Sequence, residues 1–288
     1  MPSASCVMGI LHAGAFRLDY AHPLIMGVVN VTPDSFSDGG RHSSPAGAVA
    51  HALRLSEEGA DILDVGGEST RPGAAPVGVA VEMRRVLPVI EALARRGLVV
   101  SVDTRHAEIM RVAVAAGAAI VNDVAALREA GALEAAASTG AAVCLMHMQG
   151  SPATMQEAPQ YADVAREVRE FLESRVQACV EAGVARERLI IDPGFGFGKD
   201  LAHNLRLLRQ LSDFSALGLP VLAGLSRKKM LGQLTGRAVG EREYAGIAAH
   251  LAAVARGAKI LRVHDVAAMR DALAVWNAIE GDEQHHDA

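Results

Sequence analysis

Residues 24–40 read LIMGVVNVTPDSFSDGG. Leu24 to Val29 is an apolar run of the kind expected for a strand buried on both faces. It reaches a polar residue, Asn30, where such a strand would surface, and then breaks into a loop rich in Thr, Ser, Asp, Pro and Gly. Those residues favour turns over regular structure. Phe36 is the odd member, a bulky aromatic with no strand or helix beside it. Two readings are open: a phenylalanine folded back on the core, or a loop that closes over a ligand.

The same strand-to-polar-exit pattern recurs along the chain. Further β-like runs are Asp61–Val65, Leu98–Asp103, Ala119–Asp123, Ala142–His147, Leu189–Asp192, Pro220–Ser226 and Lys259–His264, with helical patterns between them. Gly-Ala precedes a strand at Gly59, Gly117, Gly140 and Gly257, and Gly97 holds a similar place, where a helix ends and the chain turns. A repeated β/α unit of this number and length predicts a TIM (β/α)8 barrel, with a doubly wound open sheet as the alternative. The chain reads as one domain with a core from about residue 22 to 280 and a polar, frayed end after it.

Every strand exit carries a polar side chain: Asn30, Asp64 with Glu68, Asp103, Asn122 with Asp123, His147, Asp192, Ser226, and Arg262 with His264. Asp64 and His147 are read as structural hydrogen-bonding groups. Eight polar exits of eight are harder to dismiss, because an unpartnered buried polar group costs roughly 1–3 kcal/mol. In a barrel these positions converge on the C-terminal face, where sites are built. Asp192-Pro-Gly-Phe-Gly-Phe-Gly-Lys199 superficially suggests a nucleotide loop. It has Pro193 where a Walker A loop needs glycine, and Lys199 where a Rossmann fingerprint needs one. Ser226-Arg227-Lys228-Lys229 is a candidate anion site. Acids with an amide can read a planar heterocycle bearing amino and lactam groups, and cations can hold an anionic leaving group.

Composition narrows the class. Half of the 288 residues are hydrophobic but only 3% are aromatic, so Ala, Val, Leu and Ile must build the core. A net charge of −5 gives no general attraction to nucleic acid or membrane surfaces. Cys6, Cys144 and Cys179 lack metal-ligand spacing and read as reduced thiols. The first residues lack a signal-peptide pattern and no run reaches membrane-spanning length, so a cytoplasmic protein is expected.

In this order the blocks MGVVNVTPDSFSDGG (26–40), DVGGESTRPG (64–73), SVDT (101–104), IVNDV (120–124), LMHMQG (145–150), DPGFGFGK (192–199), LSRK (225–228) and RVHDV (262–266) resemble the dihydropteroate synthases of folate biosynthesis, a sulfonamide target. The resemblance implies a TIM barrel and a transferase. It would join p-aminobenzoate to 6-hydroxymethyl-7,8-dihydropterin pyrophosphate and release pyrophosphate. It implies that Asp103, Asn122, Asp192 and Lys228 hydrogen-bond the pterin, with Met146, Phe197 and Gly224 in its pocket and Arg262 stacked on its face. Asn30 would contact a Mg²⁺ on the pyrophosphate, which Arg71, Arg262 and His264 would surround. Phe36, Thr70, Arg71, Pro72, Phe197, Ser226 and Lys228 would form the p-aminobenzoate site. Asp103, Lys228, Arg262 and His264 would carry the chemistry. A homodimer is implied. Two rival classes stand beside this one: a pterin-binding methyltransferase module, and a phosphate-binding isomerase or aldolase using Lys199 or Lys228.

Overall fold

The computed structural model describes residues 9–32, 44–69, 77–150, 155 and 158–280. Strands β1 (Ile10–Ala13) and β2 (Phe16–Asp19) form an antiparallel hairpin. Then β3 (Leu24–Asn30), β4 (Ile62–Gly66), β5 (Val100–Asp103), β6 (Ile120–Asp123), β7 (Ala142–Met146), β8 (Leu189–Asp192), β9 (Val221–Ala223) and β10 (Ala258–Val263) close into a parallel barrel. Helices α1 (Pro45–Glu57), α2 (Val79–Ala94), α3 (Ala107–Ala115), α4 (Ala132–Ala137), α5 (Val164–Glu181) and α6 (Leu201–Arg209) alternate with the strands. Two helices, α7 (Lys229–Thr235) and α8 (Glu243–Val254), follow β9, and α9 (Val266–Glu280) follows β10. The TIM barrel is therefore the fold, and the open sheet is excluded by the β10–β3 pairing that closes it.

Alternation along the strands is present but hidden by chemistry, because both faces are apolar. Ile25, Val29, Leu63, Val65, Val102 and Val121 point out and pack under the helices. Met26, Ile62, Ile120, Cys144, Ile190 and Ile260 point in and fill the lower barrel. The wall is tight at β3: a Cβ on Gly27 would lie 3.1 Å from Leu55 and 3.3 Å from Val266, so glycine there lets α1 and α9 reach the strand. Helix starts follow from their caps. Ser44 Oγ accepts from Gly47 N–H ahead of α1, and Asp163 and Asp200 cap α5 and α6 in the same way.

The glycines that end helices behave as expected at 59, 97, 117 and 257, all at positive φ. Gly140 does not; its carbonyl instead accepts from Gly14 N–H of the hairpin. The hairpin was not among the strand-like runs. It places Leu11 and Ala13, both fully buried, into the inner cluster and stoppers the N-terminal end of the barrel. Among the described residues the packed body thus includes the hairpin as well as residues 22–280. Strand ends also shift: β7 stops at Met146, β9 at Ala223 and β10 at Val263, so His147, Ser226 and His264 stand just past their strands. Among the described residues no helix is long and apolar enough to cross a membrane.

Candidate active site at the barrel mouth

Parallel register brings the polar strand ends side by side. Asn30 pairs with Gly66, Gly66 with Asp103, and Asp103 with Asn122, while Met146 pairs with Asp192 across the mouth. Asp64 lies one inward position deeper, fully buried. A buried carboxylate needs a partner, and Arg262 supplies it. Its Nε donates to Asp64 Oδ2 at 2.7 Å, and its Nη2 donates to Asp103 Oδ2 at 2.8 Å. Asn122 Nδ2 donates to the same Asp64 oxygen at 3.1 Å. One guanidinium therefore holds two acids and is itself fixed by them at the mouth. Burial pushes the Asp103 carboxyl up to about 7; Arg262 pulls it down and Asp64 pushes it further up.

Asp192 is fixed from its own loop, with Gly194 N–H donating to its Oδ1 at 2.7 Å. Burial raises its carboxyl, while that hydrogen bond and the nearby Lys228, Lys199 and Arg262 hold it back. Lys228 arrives from the loop after β9. The preceding Arg227 has φ +58°, a costly conformation for a residue with a Cβ. It is held there by an ion pair to Asp265 at 2.7 Å and by Arg242 Nη1 donating to its carbonyl at 3.2 Å. The turn sends Lys228 toward the cavity, its ammonium 4.2 Å from the centre of the Phe197 ring. Burial lowers Lys228 to about 8, against the pull of Asp192. Ser226 turns the other way, its Oγ 2.9 Å from His264 Nδ1.

These groups line a pocket with a charged floor and one apolar wall, where Val124, Met146, Met148, Met155 and Phe197 cluster. Acceptors (Asp103, Asp192), an amide and two cations face a slot suited to a flat, polar ring.

The chain matches the family model described as pterin binding enzyme over residues 26–264. It is 52% identical to the dihydropteroate synthase of Escherichia coli K12 over 269 residues, 93% of this chain and 95% of that one. It is 52% identical to the Neisseria meningitidis serogroup B enzyme over 277 residues, 94% of this chain and 97% of that one. Among solved structures, a Xanthomonas albilineans dihydropteroate synthase with 4-aminobenzoic acid superposes with a TM-score of 0.90 at 55% identity, covering 96% of this chain and 99% of that one.

The chain belongs to the dihydropteroate synthase family.

All eight positions that the sequence pattern of dihydropteroate synthases implied for a pterin, from Asp103 to Arg262, line this one cavity. Val124 and Phe195 line it as well and were not anticipated. Phe195 carries a signal in hindsight, as a second aromatic in the same glycine loop. Asn30 stands on the rim beside Gly66, and Ser226 and His264 form their own pair nearby. Phe36, Thr70, Arg71 and Pro72 lie outside the described residues. Asp64 and His147, read from the sequence as structural hydrogen-bonding groups, each have hydrogen-bond partners. Asp123 accepts from Ala125 and Leu127 N–H and shapes the turn after β6. Among the described residues the one group of three metal-ligating side chains within 4.8 Å is Glu68, Glu82 and His106.

Proposed function

We propose that this protein makes 7,8-dihydropteroate from 6-hydroxymethyl-7,8-dihydropterin pyrophosphate and p-aminobenzoate. The observation that carries the proposal is the cavity at the mouth, where Asp192, Asn122, Asp103 and Lys228 converge on one flat slot above Arg262. Among the relatives, a Xanthomonas albilineans structure holds 7,8-dihydropteroate itself, at 52% identity and a TM-score of 0.86 over 94% of this chain and 99% of that one.

In this reading Asp192 accepts from the amino and ring N–H groups of the pterin, and Asn122 and Lys228 complete its edge. Departure of pyrophosphate leaves positive charge shared between the methylene and the electron-rich ring. The Asp103 carboxylate, already fixed by Arg262, stabilises that charge without reorganising. Arg262 offers its flat face to the ring, and His264 lies on the side of the leaving group. The arylamine then attacks carbon directly, so no Ser or Cys nucleophile is required. A Schiff-base reading loses one of its lysines, since Lys199 Nζ is bonded to three carbonyls and to the His147 ring.

Mg²⁺ fits this site only together with the substrate. Asn30 offers one neutral amide oxygen, a hard donor that suits Mg²⁺ but does not hold it alone. When bound, the ion would neutralise charge on the leaving pyrophosphate. Ordered binding extends this reading: the pyrophosphate with its Mg²⁺ binds first, and p-aminobenzoate second. Titration calorimetry of free protein is expected to show negligible Mg²⁺ binding, and clear binding once pyrophosphate is added. In the same series, p-aminobenzoate is expected to bind more tightly, by roughly 1–3 kcal/mol, when pterin, Mg²⁺ and pyrophosphate are present. Equal p-aminobenzoate affinity in both states would mean that its slot exists beforehand.

A homodimer fits the surface. Leu234, Val239, Tyr244, Val275 and Ile279 are exposed apolar residues on and beside α7, α8 and α9, and α8 packs against both of the others. Tyr244 is 82% exposed, an unusual setting for an aromatic in a chain so poor in them. Sedimentation equilibrium is expected to give twice the 30.1 kDa chain mass, and a monomer at micromolar concentration would remove this part of the proposal. A cytoplasmic protein with no affinity for nucleic acid or membrane suits the acidic balance and the absence of cysteine pairing expected from the sequence.

A further inference from the structure

Lys199 is a lysine only 2% exposed, and it does not line the cavity. Burying a charge costs far more than burying a methylene chain, so such a residue needs a compensating arrangement. Lys199 has one. Its Nζ donates to the carbonyls of Gly194 at 2.9 Å and Phe197 at 3.0 Å, and lies 3.0 Å from His147 Nδ1. His147 completes the set in either protonation state. Its Nδ1 accepts from an ammonium, or donates to a neutral amine after a change of tautomer. Burial brings Lys199 down to about 7 and His147 to about 2, so this imidazole is neutral throughout.

The three partners sit on the two loops that make the cavity wall. Gly194, Gly196 and Gly198 have φ of +68°, +82° and +60°, and these left-handed turns fold the loop so that its carbonyls converge on one nitrogen. The loop is pressed onto the end of β7: a Cβ on Gly194 would lie 2.0 Å from the His147 carbonyl, and one on Gly198 would lie 2.6 Å from that of Gln149. Further ties run the same way. Tyr161 OH donates to the Gly198 carbonyl at 2.8 Å, and Gly196 N–H donates to Asn204 Oδ1 at 2.7 Å. Gly196 in turn touches the Lys228 stem, where an added Cβ would sit 3.2 Å from Cδ.

We propose that Lys199 is a positioning residue for the pterin site: its buried amine pins the Asp192–Lys199 loop to β7 and so sets Asp192, Phe197 and Lys228 around the cavity. The inference rests on the pterin reading of that cavity. An eight-residue loop that begins with a binding carboxylate and contains three glycines has little rigidity of its own. The lysine supplies it from behind, without touching the ligand.

The test uses the purified full chain and its Lys199→Met and Lys199→Gln variants. Lys199→Met keeps the length and removes every donor, and Lys199→Gln keeps two. Calorimetry with 6-hydroxymethylpterin is expected to show affinity weakened by about 10- to 100-fold in the methionine variant, with glutamine in between. Steady-state kinetics should show a rise in KM for the pterin substrate larger than the rise in KM for p-aminobenzoate, whose site shares Phe197 and Lys228. Hydrogen exchange should show lost amide protection confined to residues 194–198. A folded methionine variant with wild-type pterin affinity and wild-type protection would overturn the proposal. Should that variant not fold, the glutamine variant decides by the same readouts. A uniform loss of stability with both KM values unchanged would also overturn it. Wild-type protein that fails to bind the pterin would instead defeat the reading of the cavity, while hydrogen exchange would still report whether Lys199 pins the loop.

Discussion

Replacing Arg262 by methionine is expected to destabilise the protein by about 3 kcal/mol at neutral pH and to abolish activity. Removing one partner from a buried ion pair costs roughly 3–5 kcal/mol, and the lower end applies because the arginine side chain is 24% exposed. Asp64 and Asp103 would then face each other with no cation between them. The Asp103 carboxyl would rise further above its ordinary value, since burial already holds it at about 7 with Arg262 in place. The sign of the pH dependence follows. A carboxyl whose pKa is higher folded than unfolded binds more protons in the folded state, so its penalty is full above the folded pKa and fades as pH falls toward the unfolded value near 4. The variant should therefore lose most stability at pH 8 and recover part of it at pH 5. Urea midpoints at the two pH values measure this. An equal loss at both, or a loss below about 1 kcal/mol, would show that the arginine does not hold the acids.

Asp192→Asn is expected to weaken pterin binding by roughly 2–4 kcal/mol while leaving the fold intact. The reason lies in the Gly194 N–H bond to Asp192 Oδ1. An asparagine keeps that bond only by turning its oxygen toward Gly194, and its amide nitrogen then points into the cavity. A donor would face the donors of the pterin edge, where the aspartate presented an acceptor. Calorimetry with a pterin and thermal melting separate the two effects. Near-normal affinity in the variant would remove Asp192 from the pterin edge.

The barrel is legible in the chain because its strands obey a simple rule. Each is a short run of Val, Ile and Leu ending in a polar residue, and Gly59, Gly97, Gly117 and Gly257 mark the turns into them. The cavity at the mouth is legible for the same reason, since residues at strand ends meet wherever a barrel closes. What the sequence conceals are contacts between residues far apart along it. Arg262 meets Asp64 and Asp103 across 198 and 159 positions. No local pattern announces that this arginine is the counter-ion of two acids. Lys199 misleads for a related reason. In a glycine loop it resembles a phosphate-binding or Schiff-base lysine, and only the fold shows its amine turned backward onto carbonyls. The hairpin at residues 10–19 was missed because two four-residue strands carry little pattern, and its place under the barrel is set by Leu11 and Ala13 packing rather than by pairing with the sheet.

The central claim is that this cavity joins a pterin to an arylamine with loss of pyrophosphate. The direct measurement supplies purified protein with 6-hydroxymethyl-7,8-dihydropterin pyrophosphate and Mg²⁺, with and without p-aminobenzoate, and follows pyrophosphate and 7,8-dihydropteroate together. The account predicts sustained release only when p-aminobenzoate is present, with one pyrophosphate for each dihydropteroate formed. Release at the same rate without the arylamine and with no dihydropteroate, or no release in either case, would contradict it.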